Sequence, residues 1–64
     1  MTSTVTLGLT IIRDEPADNA ILVRQDEDRA KVWLPRSQIE IEYETDDSAL
    51  VTLPEWLAIE KDLI

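Results

Sequence analysis

Three glutamates, Glu40, Glu42 and Glu44, occupy alternate positions in SQIEIEYETDD, the stretch from Ser37 to Asp47. Asp46 and Asp47 extend the run, and the stretch holds no basic residue. Paired carboxylates can perform general acid–base chemistry, but one of them needs a cleft and a raised pKa. A solvated row supplies neither, so the pattern points to a surface field instead of a reaction. Other chemistries lack their parts. The chain has no Cys and no His, which removes disulfides and thiolate or imidazole metal sites. Ser3, Ser37 and Ser48 have no His or evident Lys base in the pattern, which argues against nucleophilic catalysis. A single Gly leaves no Gly-rich phosphate loop. Asp26 to Arg29, DEDR, resembles half a calcium loop. It lacks the Gly and the distant Glu of an EF-hand, and reads as a hairpin turn. A non-enzymatic protein without a cofactor is expected.

The charge is concentrated. Residues 1–36 hold six acids and five bases, whereas residues 37–60 hold seven acids and no base. Lys61 and Asp62 cancel, and the total is -8. Neighbouring glutamates on a strand lie about 6.8 Å apart. Their repulsion in water is roughly 1 kcal/mol or less per pair. One reading is a solvated outer face that also blocks edge-to-edge aggregation. The other is an anionic ridge for a basic groove, with carboxylates standing where a target expects phosphates. Nucleic acid and anionic membranes would both repel this surface. A basic protein surface is the partner it attracts.

One small domain over 1–64 must position the row. A chain of this length buries only about 60% of its unfolded surface, so a partner or a homodimer would add stability. Val5, Leu7, Leu9 and Ile11 alternate with Thr and Gly8, which predicts a strand over about 4–12. Gly8 suggests a bulge or a close backbone approach. Further strands are expected at about 20–24, 30–34, 39–44 and 49–53, the first buried on both faces. Two hairpins result, one turning at QDEDR and one at TDDS. Pro35 ends the third strand or places it at an edge. Pro54 starts a helix over about 54–63, with Glu55 in its first turn and Lys61 in its last. Trp56 with Leu63, and Leu57 with Ile64, mark an apolar stripe that must dock on the sheet or on another chain.

The fold class is therefore α+β and mostly β: about five short antiparallel strands in a bent sheet or small SH3-like or OB-like barrel, with one C-terminal helix. Trp33 has two readings, as core under that helix or as an exposed partner anchor. Arg36 reads as a surface charge, and Ser37 as a residue that turns the chain locally. No basic leader precedes the first strand, and no apolar run approaches the roughly 20 residues of a membrane span. The expected location is the cytoplasm.

Val32 to Glu42, VWLPRSQIEIE, and Val51 to Ile64, VTLPEWLAIEKDLI, resemble a family of short acidic proteins encoded by phages and prophages. Trp33, Pro35, Ser37, Gln38 and Ile39 match its strand motif. Pro54, Glu55, Trp56, Leu57, Ala58, Glu60, Lys61, Leu63 and Ile64 match its tail. Asp62 stands where the family has Gly, a residue suited to a left-handed helix end; with Asp the helix is free to run on. The resemblance implies a mobile-element origin.

Size, charge and resemblance together suggest an inhibitor of a bacterial defence complex, of the anti-CRISPR or anti-restriction kind. It would occupy the basic nucleic-acid groove of a host protein. Glu40, Glu42, Glu44, Asp46 and Asp47 would supply the field and Trp33 the anchor. A second expectation is an adaptor or assembly module for a phage replication or recombination protein, with contact through the helix and the tryptophans. A third is a sponge that binds a signalling nucleotide between subunits, with Arg13, Arg24, Arg29 and Lys31 meeting its phosphates.

Overall fold

The computed structural model of the chain describes residues 3–15, 17 and 19–64. Five strands form one antiparallel sheet: β1 (Thr4–Arg13), β2 (Ala20–Arg24), β3 (Val32–Pro35), β4 (Glu40–Tyr43) and β5 (Ser48–Pro54). A 3-10 turn (Arg36–Gln38) joins β3 to β4, and the helix α1 (Glu55–Glu60) follows β5. The spatial order is β3-β2-β1-β5-β4. Both expected hairpins are present, β2 with β3 and β4 with β5. The longest strand, β1, joins them. Its Thr4–Thr10 part pairs with β5 and its Thr10–Arg13 part with β2.

Alternation in β1 decides which face is buried. Leu9 pairs with Ala49, Leu7 with Val51 and Val5 with Leu53, so these six side chains share a face. Ile21, Val23 and Leu34 extend that face through β2 and β3. The helix closes it with Leu57 and Ala58, joined by Leu63 just beyond, in one core cluster. The Glu55 N–H donates to the Ser3 carbonyl at 2.8 Å and fastens the start of α1 beside β1. At the other end Gln25 Nε2 donates to the Leu63 carbonyl at 2.9 Å, so the tail reaches the end of β2.

The fold class is as expected, and of its two forms the open sheet is the one found: β3 and β4 are the sheet's two edges and do not pair, so no barrel closes. Several expectations are corrected. β2 is buried on one face only: Ile21 and Val23 are covered, while Ala20, Leu22 and Arg24 are half-exposed. Gly8 sits in unbroken register opposite Leu50, and a Cβ there would meet nothing within 4 Å. The bulge lies further on, between Ile11 and Arg13, where Ile12 is the extra residue against β2. Pro54 is the last residue of β5 and the helix N-cap, not the first helical residue.

The helix is shorter than its sequence pattern. Asp62 has φ 60, a left-handed conformation. Its N–H donates to the Ile59 carbonyl at 3.1 Å, and the Leu63 N–H to the Ala58 carbonyl at 2.8 Å. These two bonds make a Schellman end, with Leu63 folded back beside Ala58. Asp62 thus takes a conformation that suits Gly, at a steric cost. The reversal buries Leu63 and leaves Trp56 52%, Ile59 58% and Ile64 55% exposed. Of the expected stripe, Leu57 and Leu63 therefore dock in the core, whereas Trp56 and Ile64 do not.

Asp62→Gly removes the left-handed penalty, offset in part by a more flexible unfolded chain. Its expected effect is a gain of about 0.5–1 kcal/mol, a rise of a few degrees in thermal midpoint. Asp62→Val, with its β-branched side chain, lowers the midpoint. Thermal unfolding of both variants checks the pair.

Candidate functional site

The acidic row lies on an edge strand. In β4, Ile41 and Tyr43 take the face of Val51 and Ala49. Glu40 and Glu42 take the opposite face, in register with Thr52 and Leu50. That face carries no helix. The ladder continues past β4, where the Glu44 N–H donates to the Ser48 carbonyl at 3.0 Å. Glu44 therefore holds the next same-face position. Among the described residues, Glu40, Glu42, Glu44 and Asp46 have no side-chain hydrogen bond or ion pair. Asp47 differs: its carboxylate accepts from Thr45 Oγ1 at 3.0 Å, inside a turn that also holds Ser48 Oγ 2.7 Å from Thr45 Oγ1. It shapes the hairpin as well as adding charge.

Two grooves meet at Glu40. The larger, about 470 Å³, is lined by Ile39, Leu53 and Pro54 together with Thr4, Ser37, Gln38 and Thr52. The smaller, about 150 Å³, runs along Thr6, Leu50 and Glu42. Glu40 and Thr52 line both. Such a surface can hold a cationic group with an apolar stem, because its lining combines one carboxylate with apolar side chains and neutral polar groups. Glu40 and Glu42 are exposed.

Of its two expected places, Trp33 takes the exposed one. It is 45% exposed and pairs with Leu22 on the face opposite the helix, so it does not pack under α1. It also stands on the β3 edge, and the acidic row on the β4 edge. Four strand spacings, up to about 19 Å along the sheet, separate them. The two halves of the sequence-predicted site lie on the same face, on the two edge strands that the Arg36–Gln38 turn connects. Of the four cations considered for a nucleotide, none lines either groove. Asp26 accepts the Asp28 N–H on its side chain at 2.8 Å and the Arg29 N–H on its carbonyl at 3.0 Å, a tight turn. Among the described residues no cluster of three or more acids could hold a metal ion.

Sequence reading missed one constellation. Asp14, just past β1, accepts from Arg36 on one carboxylate oxygen and from the Tyr43 hydroxyl on the other. Arg36 also donates to the Glu15 carbonyl at 3.1 Å, and its backbone N–H to the Asn19 carbonyl at 2.8 Å. Arg36 is thus a specific contact, not the plain surface charge expected. The Tyr43 hydroxyl first, and then Arg36, hold the Asp14 carboxyl below its ordinary value. The same carboxylate pushes the Tyr43 phenol up. The three residues tie the ends of both edge strands to the end of β1. They lie 22 and 29 residues apart along the chain, a separation no local motif could reveal.

No protein-family model matches the chain, and no curated protein or solved structure matches it. Its function must be argued from these surfaces.

Asp14 makes stability depend on pH at the acid end. Its folded pKa is lowered, so the unfolded chain binds protons first. The stabilisation is complete above the ordinary carboxyl value of 3.8 and is lost as pH falls through the depressed folded value. Tyr43 has the opposite sign: its share is complete below 10.0 and is lost as pH rises through the raised value. Asp14→Asn is expected to flatten the acid limb of a stability–pH curve, and Tyr43→Phe the alkaline limb. Denaturant melts across pH read both.

Proposed function

We propose that the protein is a non-enzymatic binding module that docks its acidic edge on a basic protein surface. The target is a nucleic-acid-binding protein or a defence complex of a host cell, acting in the cytoplasm, and the effect is inhibition of the anti-CRISPR or anti-restriction kind. The observation that supports this reading is the state of β4. Glu40 and Glu42 stand exposed and unpaired on an edge strand, with Glu44 and Asp46 following at its hairpin. No base falls between residues 37 and 60 to neutralise them. A surface meant only for solubility would intersperse lysines. The one-sided row instead makes a field that accelerates encounter with a cationic groove. A phage or prophage origin accords with the resemblance of Val32–Glu42 and Val51–Ile64 to short acidic phage proteins.

A specific observation favours a second reading, an adaptor or assembly module. Trp56 and Ile59 lie three apart on the outer side of α1, more than half exposed, with Ile64 exposed beyond them. Apolar contact of this kind depends little on salt.

Salt and substitution separate the two readings. In the first, association with a captured host partner slows steeply as salt rises, from about 10⁸ toward about 10⁵–10⁶ M⁻¹s⁻¹. The triple variant Glu40→Lys, Glu42→Lys, Glu44→Lys loses binding while keeping its circular dichroism spectrum. Unchanged inhibition by that variant sinks the first reading. In the second, binding is indifferent to salt and is lost in Trp56→Ala with the fold retained.

A further inference from the structure

The edge of β4 offers backbone as well as charge. The Glu44 N–H bonds the Ser48 carbonyl, and on the other side of β5 the Ile11 N–H bonds the Asp47 carbonyl at 2.7 Å. Hydrogen-bonded pairs alternate along an antiparallel ladder. Both bonds give the same phase: Ser48, Leu50 and Thr52 turn their backbone groups toward β4, and Ala49, Val51 and Leu53 toward β1. Across the β4–β5 ladder, Glu40 and Glu42 therefore spend their N–H and C=O groups on β5, as Glu44 does its N–H. Ile41 and Tyr43 point theirs outward, away from the sheet. No backbone hydrogen bond outside the ladders uses either residue, among the described residues.

An open edge with two free donors and two free acceptors is a template for another strand. Its side chains state which strand. Residues of an added strand that oppose Glu40 and Glu42 put their side chains on the same face, at the same spacing of about 6.8 Å. A second copy of this chain would set glutamate against glutamate, which disfavours it. Lysine or arginine at alternate positions would meet each carboxylate in turn. At the start of β4 the groove beside Glu40 has room for one more such side chain, its stem on Ile39 and Pro54 and its head at Glu40.

We propose that β4 is a strand-addition site for an extended segment of a partner protein that carries Lys or Arg at alternate positions and adds antiparallel to Ile41 and Tyr43. This rests on the acidic-edge reading and names the form its partner takes. It distinguishes recognition by main chain and register from docking by charge alone.

The experiment uses the intact protein and a short peptide of alternating Lys and Thr. Two further peptides have the same composition and charge, one N-methylated at its Thr residues and one at its Lys residues. In the proposed register the Thr residues oppose Ile41 and Tyr43, and their amides make the bonds. Methylation at Thr is expected to weaken binding by more than about tenfold, and methylation at Lys to weaken it little. Amide exchange at Ile41 and Tyr43 should slow when the parent peptide is bound. Equal affinity of the two methylated peptides overturns strand addition. If that binding is still abolished by Glu40→Lys, Glu42→Lys, the acidic-edge reading survives alone. Protection of Ile41 and Tyr43 without peptide, with sedimentation as a dimer, overturns the proposal in favour of a second copy. Failure of every basic peptide to bind at low salt overturns it together with the reading beneath it.

Discussion

One face of one sheet has to be covered, and among the described residues a single short α-helix is there to do it. The side chains of Leu9, Val23, Leu34, Val51 and Leu53 converge on that face, and Leu57, Ala58 and Leu63 close over it. A domain this small has little apolar area to spend, and its conformational entropy opposes nearly all of it. Almost every fully buried residue therefore belongs to this one layer. The opposite face and the β4 edge are left without a lid, and their chemistry is set by contact with water or with a partner. The charge asymmetry of the sequence becomes spatial for this reason. Residues that cannot enter the core collect on the edge that the core does not need.

The Schellman turn at Asp62 and the Asp14 contacts solve the same problem at opposite ends of the molecule. A six-residue helix cannot hold itself together in water. Reversing the chain after Lys61 lets Leu63 enter the core without lengthening it. The edge strands have free ends that would splay, and Asp14 gathers them through Arg36 and Tyr43. Those contacts are partly exposed and so individually modest. Their importance is geometric: they fix where β4 ends and hence how the acidic row is presented. Tyr43 serves both purposes, its hydroxyl engaged with Asp14 and its backbone turned outward.

An open edge with high β-propensity is an aggregation hazard, and charge along it is a common remedy. Like charge along Glu40, Glu42 and Glu44 disfavours pairing with a copy of the same chain. The same row leaves the edge open to a cationic strand. Protection and recognition need not be rival explanations of one feature, because the sign of the partner's charge separates them.

Local pattern determined much of this protein. Alternation placed all five strands within a few residues, both hairpins formed, and Glu40 and Glu42 share a face as their spacing required. Those properties follow from the two-residue period of a strand, which acts between near neighbours. Only the tertiary structure decided that β4 is an edge, that the sheet stays open, and that Trp33 lies across the sheet from the acids. It alone brought Asp14, Arg36 and Tyr43 together and turned Trp56 outward. Each of these depends on which strands become neighbours and which side the helix covers. That choice is made by the summed burial of the whole core, and no short window of sequence contains it.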